Sequence, residues 1–202
     1  MNTDFFDLEI TMKRSPTLFA CAVVAGLAIA IATPAMAALA PGAKAPDFTT
    51  RGATAGKIAT VNLKAALKKG PVVLYFFPAA FTPGCSAEAR AFAEAIPAFT
   101  KAGATVIGMS ADPVDVLADF SAKDCAGKFQ VASAGPQVIA GYDVALGRTM
   151  TGRDGQPRAI TTRTSYVITP EGIIYYAHND MSYADHVRNT LDAVKRYRAT
   201  AP

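Results

Sequence analysis

Val72-Val73-Leu74-Tyr75-Phe76-Phe77-Pro78-Ala79-Ala80-Phe81-Thr82-Pro83-Gly84-Cys85 passes from one kind of backbone to another in a single short run. Its first six residues are β-branched, aliphatic or aromatic without interruption, the composition of a strand buried on both faces. Pro78 ends that strand because proline has no N–H to give a ladder. Thr82-Pro83-Gly84 turns the chain, and the alanine-rich stretch Ser86 to Phe99 then has the propensity of a helix. Cys85 falls in the first turn of that helix. Unpaired N–H groups and the positive end of the helix dipole stabilise an anion there, so the placement favours a thiolate over a thiol.

The flanking sequence supplies partners for this unit. Upstream, Ala38 to Asp47 reads as an extended lead-in, Phe48 to Thr60 as a loop or short hairpin, and Ala59 to Leu63 as a short strand. Leu63 to Lys69 predicts one or two helical turns. Downstream, Ala89, Phe92, Ala93, Ile96 and Phe99 recur at spacings of three and four, which gives the helix one apolar face. Pro97 is expected to kink or shorten it. Ala104 to Met109 is a second apolar strand, so strand, crossover helix and strand predict a parallel βαβ unit covered on both sides. Asp112 is expected to cap the next helix, with Pro113 in its first position and Val116, Leu117 and Phe120 facing inward. Gly127 is expected to end it, just beyond Cys125.

Phe129 to Ala132 predicts a short strand and Pro136 to Tyr142 a short helix, whereas Gly147 to Pro157, rich in glycine and poor in apolar residues, reads as loop. Thr164 to Ile168 and Ile173 to Ala177 form a hairpin around Pro170-Glu171-Gly172. The last helix is predicted with Ser182 as N-cap and Asp185 in the N3 position. Val187, Leu191 and Val194 form its inward stripe, and Lys195, Arg196 and Arg198 suit its C-terminal end.

The chain has 202 residues, the size of one domain with a proper core. Its start is of another kind. Lys13-Arg14, an apolar stretch from Leu18 to Ile31, Pro34 and the small-residue site Ala35-Met36-Ala37 have the layout of a secretory signal peptide, too short for a spanning helix. Residues 1–37 are therefore expected to be removed, leaving residues 38–202 as the domain, in the periplasm or secreted, with no membrane attachment. Met12 would begin a signal of more usual shape than Met1. Leu18-Phe19-Ala20-Cys21 faintly resembles a lipoprotein site, but the hydrophobic stretch runs well past Cys21.

Of 20 basic and 16 acidic side chains, Lys13, Arg14, Asp4, Asp7 and Glu9 lie in the segment expected to be lost, so the remainder carries a net charge of +5. These charges are scattered, without basic runs or aromatic interleaving, and no nucleic-acid or membrane-surface role follows. Cys85 and Cys125 remain. The pair is open to three readings: a structural disulfide, a redox couple or two unrelated thiols. There is no Cys-x-x-Cys, no pair of histidines at ligand spacing and no Cys/His cluster, so neither a metal site nor a cofactor is expected.

Pro78-x-x-x-Thr82-x-x-Cys85 resembles the active-site motif of the peroxiredoxins, and Thr82-Pro83-Gly84-Cys85-Ser86 with Glu88 resembles their PrxQ branch, also called bacterioferritin comigratory protein. Arg163-Thr164-Ser165-Tyr166-Val167-Ile168, far along the chain, is similar to the strand that carries the family's active-site arginine. The resemblance covers most of residues 42 to 198. It implies an α/β, thioredoxin-like fold, a central mixed β-sheet flanked by helices on both faces, which the order of predicted elements also requires. It implies an antioxidant enzyme in which the Cys85 thiolate attacks the O–O bond of a hydroperoxide to give a sulfenic acid, recycled by a thioredoxin-like or small-thiol reductant. A monomer or weak dimer is expected.

Thr82 can set a hydroxyl beside the sulfur to orient the peroxide, and the N–H groups of the Gly84-Cys85 turn can donate to it. Arg163 would add a permanent cation; on its own it reads rather as a surface residue of an edge strand, and the distant motif is what assigns it to the site. Pro78 would shield the thiolate by packing. Glu88 is either a site residue or ordinary complementation of a helix start. Many PrxQ relatives carry a resolving cysteine five residues after the first, where this chain has Arg90. Resolution then falls to Cys125, which would need local unwinding around both thiols, or to an external thiol in a one-Cys enzyme. Ala79-Ala80-Phe81 replaces more polar residues usual before the threonine, which tilts the expected substrate toward apolar hydroperoxides. His178 and His186 read as surface or capping residues. A thiol–disulfide oxidoreductase would need a second vicinal cysteine where Thr82 stands, and a non-enzymatic redox-sensing module is the other alternative.

Overall fold

The computed structural model describes residues 38–200; the expected signal peptide, Met12, Cys21 and the Ala35–Ala37 site lie outside the described residues. Strand β3 (Val72–Phe76) is an interior strand of the sheet, and all of its residues are buried. Its side chains alternate: Val73 and Tyr75 enter one apolar cluster, Val72, Leu74 and Phe76 the other, as a pleat with a period of two requires. Both faces therefore need cover. Helices α2 (Pro83–Lys101), α3 (Val114–Lys123) and α5 (His186–Thr200) supply Phe92, Leu117, Phe120 and Val194 to the first cluster. Helices α1 (Leu63–Leu67) and α4 (Pro136–Gly141) supply Leu63, Leu67 and Ile139 to the second.

The strands β1 (Thr49–Thr54), β2 (Lys57–Asn62), β4 (Thr105–Ser110), β5 (Gln130–Ser133), β8 (Thr164–Ile168) and β9 (Ile174–Asn179) complete a seven-stranded sheet in the order β2-β1-β5-β4-β3-β8-β9. β3, β4 and β5 run parallel through the crossovers α2 and α3, and β8 joins β3 antiparallel. The molecule is α/β with a thioredoxin-like fold and a central mixed sheet flanked by helices, as expected. One pairing shows how closely the layers fit. Tyr75 stands opposite Gly108, and a Cβ added to Gly108 would lie 2.8 Å from the Tyr75 ring. Only glycine leaves room for that ring, which stacks on Phe92 at a centroid distance of 4.3 Å.

Several local expectations are corrected. Pro97 does not shorten α2: it lies on the exposed side of the helix, while Phe99 is fully buried and holds the last turn. Asp112 does not cap α3. Pro113 occupies that position, and the Asp112 carboxylate is buried, accepting from Ala80 N at 2.7 Å and Ser110 Oγ at 2.8 Å. Gly147 to Pro157 is not loop throughout, since β6 (Ala145–Thr151) and β7 (Pro157–Thr161) pair as a separate, largely exposed hairpin. Ser182 does not cap α5, which begins at His186 after an exposed segment of residues 180–185.

Candidate active site

Cys85 is the third residue of α2 and is 2% exposed. Thr82 stands at the N-cap with extended backbone and Pro83 at the first helical position, so the sulfur lies beside N–H groups that no helical carbonyl can reach. Thr82 makes no side-chain cap; its hydroxyl donates to Ala79 O at 3.0 Å, and the hydroxyl oxygen keeps its capacity to accept. The preceding loop is held in place from outside. Phe77 N donates to Met109 O, Thr161 Oγ1 donates to Phe77 O, and Asp112 takes Ala80 N. Pro78 is buried, and Phe81 adopts a positive φ of 64° with its ring edge-on to Phe120. The β6–β7 hairpin closes over this loop: Arg158 pairs with Asp112, and the Arg153 guanidinium lies 4.3 Å above the Phe81 ring centroid.

Arg163 immediately precedes β8, an interior strand between β3 and β9, and is 5% exposed; it is not a surface residue of an edge strand. Each of its nitrogens has one partner. Nη2 lies 3.6 Å from Cys85 Sγ, Nε donates to Met181 O at 3.0 Å, and Nη1 forms a close ion pair with Glu88. Glu88 is fully buried one turn after Cys85, against the Arg163 guanidinium. Burial pushes its carboxyl up to about 7, with Arg163 pulling the other way. Burial also works against the Arg163 charge, but Glu88 and the Cys85 sulfur outweigh it and hold the guanidinium above its ordinary value.

Cys125 is fully buried in the same apolar cluster as Cys85, and no disulfide joins them. Burial pushes its thiol far up, and the adjacent Asp124 adds to the effect. Asp124 itself takes Ser86 Oγ at 3.1 Å and pairs with Arg90, which ties the start of α2 to the end of α3.

Sequence reasoning missed three parts of the site. His186 is not a surface or capping residue: it is fully buried, with Nδ1 2.7 Å from Ser165 Oγ and Nε2 2.9 Å from Asp180 O. His178 packs against it at a ring-centroid distance of 4.5 Å. Tyr75 places a hydroxyl without a hydrogen-bond partner among the described residues; burial raises it, with the charges of Cys125, Glu88 and Cys85 adding. No periodicity signals these contacts, because each joins elements far apart in the chain. Among the described residues no group of His, Cys, Asp or Glu could hold a metal ion. A cleft of about 700 Å³ lined by Leu63, Leu67, Pro46 and Lys44 belongs to the opposite face of the sheet.

A buried cysteine at a helix start on a thioredoxin-like sheet, met by the buried arginine that precedes the neighbouring strand, is an arrangement suited to holding a thiolate. Residues 41–177 match the AhpC/TSA family, to which the chain belongs. The Peroxiredoxin Bcp of Xanthomonas campestris pv. campestris is 33% identical over 127 residues, which span 62% of this chain and 77% of that protein. The chloroplastic Peroxiredoxin Q of Triticum aestivum is 32% identical over 157 residues, 76% of this chain and 66% of that one. Among solved structures, peroxidoxin BcpB from Mycobacterium tuberculosis superposes with a TM-score of 0.66 at 27% identity, over 80% of this chain and 98% of that chain. Peroxiredoxin Q of Xanthomonas campestris does so with a TM-score of 0.61 at 28% identity, over 73% and 90%. The likeness is thus to the PrxQ-type peroxiredoxins.

Proposed function

We propose that this peroxiredoxin reduces hydroperoxides through Cys85 as the peroxidatic thiolate, in an exported protein recycled by a thioredoxin-like dithiol. The observation that supports it most is the 3.6 Å approach of Arg163 Nη2 to a sulfur already at a helix N-terminus. In the reaction the sulfur attacks one peroxide oxygen, an S–O bond forms and the O–O bond breaks. Cys85 is oxidised to a sulfenic acid, and the other oxygen takes a proton and leaves as water or an alcohol. Thr82 Oγ1 and the N–H groups at Gly84 and Cys85 orient the peroxide, Arg163 stabilises the charge that develops, and Pro78 keeps bulk water from the sulfur. A structure of the Xanthomonas campestris relative is described in terms of alkyl peroxide reduction. The Ala79-Ala80-Phe81 loop favours a similar preference for apolar hydroperoxides here.

Cys125 is the proposed resolving thiol: it condenses with the sulfenic acid to give a disulfide and water. Because both thiols are buried, this step requires the start of α2 and the end of α3 to open. Intact-protein mass spectrometry after one equivalent of hydrogen peroxide tests the scheme. The wild type is expected to lose two hydrogens and Cys125→Ser to gain one oxygen. A stable sulfenic acid in the wild type would instead assign resolution to an external thiol, and no change at Cys85 would overturn the reading.

A further inference from the structure

We propose that His186 is a positioning residue for the Cys85 reaction: its Nε2–H, given to the Asp180 carbonyl, holds the neighbouring Met181 carbonyl where it sets Arg163 on the sulfur. The inference rests on the reading of Cys85 as the peroxidatic thiolate. Arg163 cannot point its Nη2 at Cys85 by its ion pair alone, because a planar guanidinium held through one nitrogen can still swing about that contact. The second fixed point is Nε on Met181 O at 3.0 Å. Met181 is 44% exposed and belongs to a segment, residues 180–185, that is exposed throughout. Water would compete for that carbonyl and let the segment drift unless something buried holds it.

The buried holder is the first residue of α5. His186 is 0% exposed, and Asp180 O, a carbonyl and so an acceptor only, requires the hydrogen on Nε2. Nδ1 is then the acceptor of the neutral ring and takes the Ser165 hydroxyl at 2.7 Å. Burial holds His186 down to about 4, which keeps the ring in this neutral form. Glu88 Oε1 lies 3.8 Å from Nδ1, beyond hydrogen-bond reach, so the ring does not draw Glu88 away from Arg163. Asp180 N also donates to Arg163 O at 3.2 Å. The backbone at 180–181 is therefore fixed by the same arginine it orients, and His186 closes that loop of contacts from the α5 side.

Two substitutions separate the ring's two bonds. His186→Gln places an amide N–H near the position of Nε2 and keeps the bond to Asp180 O; His186→Asn keeps only an acceptor for Ser165. His186→Asn is expected to slow single-turnover oxidation of Cys85 by hydrogen peroxide about tenfold, and His186→Gln to stay within about twofold of the wild type. The Arg163 Nε–H signal in a proton–nitrogen correlation spectrum is expected to be exchange-protected in the wild type and His186→Gln and lost in His186→Asn. An unchanged rate and signal in folded His186→Asn would overturn the proposal. Should that variant not fold, Ser165→Ala decides: it leaves the Asp180 bond intact and is expected to leave rate and signal unchanged. A tenfold loss there would contradict it. A wild type that takes up no peroxide would instead sink the reading of Cys85, while the Arg163 signal would still test this chain of bonds.

Discussion

Arg163 and Cys85 are 78 residues apart and meet at 3.6 Å, and the site depends on the fork geometry of the guanidinium more than on its charge. Arg163→Lys keeps the charge but cannot hold Met181 O and Glu88 and reach the sulfur at once. Its kcat/KM for hydrogen peroxide is expected to fall about 100- to 1,000-fold with the fold intact, as read by stopped-flow kinetics and circular dichroism. Pro78, Thr82, Cys85 and Arg163 could be picked out in the sequence as candidates because they belong to two motifs whose local structure is strand, turn and helix, and the structure brings Arg163 to Cys85. Glu88 was ambiguous, since a carboxylate in a helix's first turns is ordinary; its burial against Arg163 is a long-range contact that no local pattern encodes. His186 was misread because its hydrogen-bond partners come from β8 and from the backbone after β9, which no local pattern encodes.

The elements that carry strong apolar runs, β3, β4 and α2, were readable along with their parallel pairing. The β6–β7 hairpin was not, because it is mostly exposed and pairs through backbone without an alternating apolar face. The start of α5 was misplaced because Ser182 and Asp185 mimic a capping box, while the chain spends residues 180–185 on the arm that holds Arg163. Between β3 and β4, Gly108→Ala is expected to cost about 1–3 kcal/mol in urea denaturation, since the Tyr75 ring has stacked neighbours and cannot retreat. Between α2 and α3, Arg90→Ala removes one of the ties at Asp124. It is expected to speed formation of a Cys85–Cys125 disulfide several-fold, and thermal stability is expected to change little because Arg90 is largely exposed. An unchanged rate of disulfide formation, followed by quenched mass spectrometry, would show that this tie does not limit opening.

Across the whole molecule, two of the buried groups titrate in opposing senses. Glu88 is raised to about 7 by burial, so the stability it lends is present below the unfolded carboxyl range and is lost as pH rises toward 7. His186 is lowered to about 4 by burial, so its contribution is present above the unfolded imidazole value and is lost as pH falls toward 4. Between about pH 4.5 and 6.5 the two slopes offset each other. Urea midpoints measured across pH are therefore expected to fall more steeply toward acid in Glu88→Gln than in the wild type. In His186→Gln they are expected to fall more steeply toward neutral pH; parallel profiles for all three proteins would contradict this balance. Glu88 pairs with the guanidinium that reaches the Cys85 sulfur, and His186 lies 3.8 Å from Glu88. The most direct measurement is the peroxide consumed in a single turnover by the reduced wild type and by Cys85→Ser. The wild type is expected to consume one peroxide per chain in a rapid burst and Cys85→Ser none; a burst that survives the substitution would contradict the account.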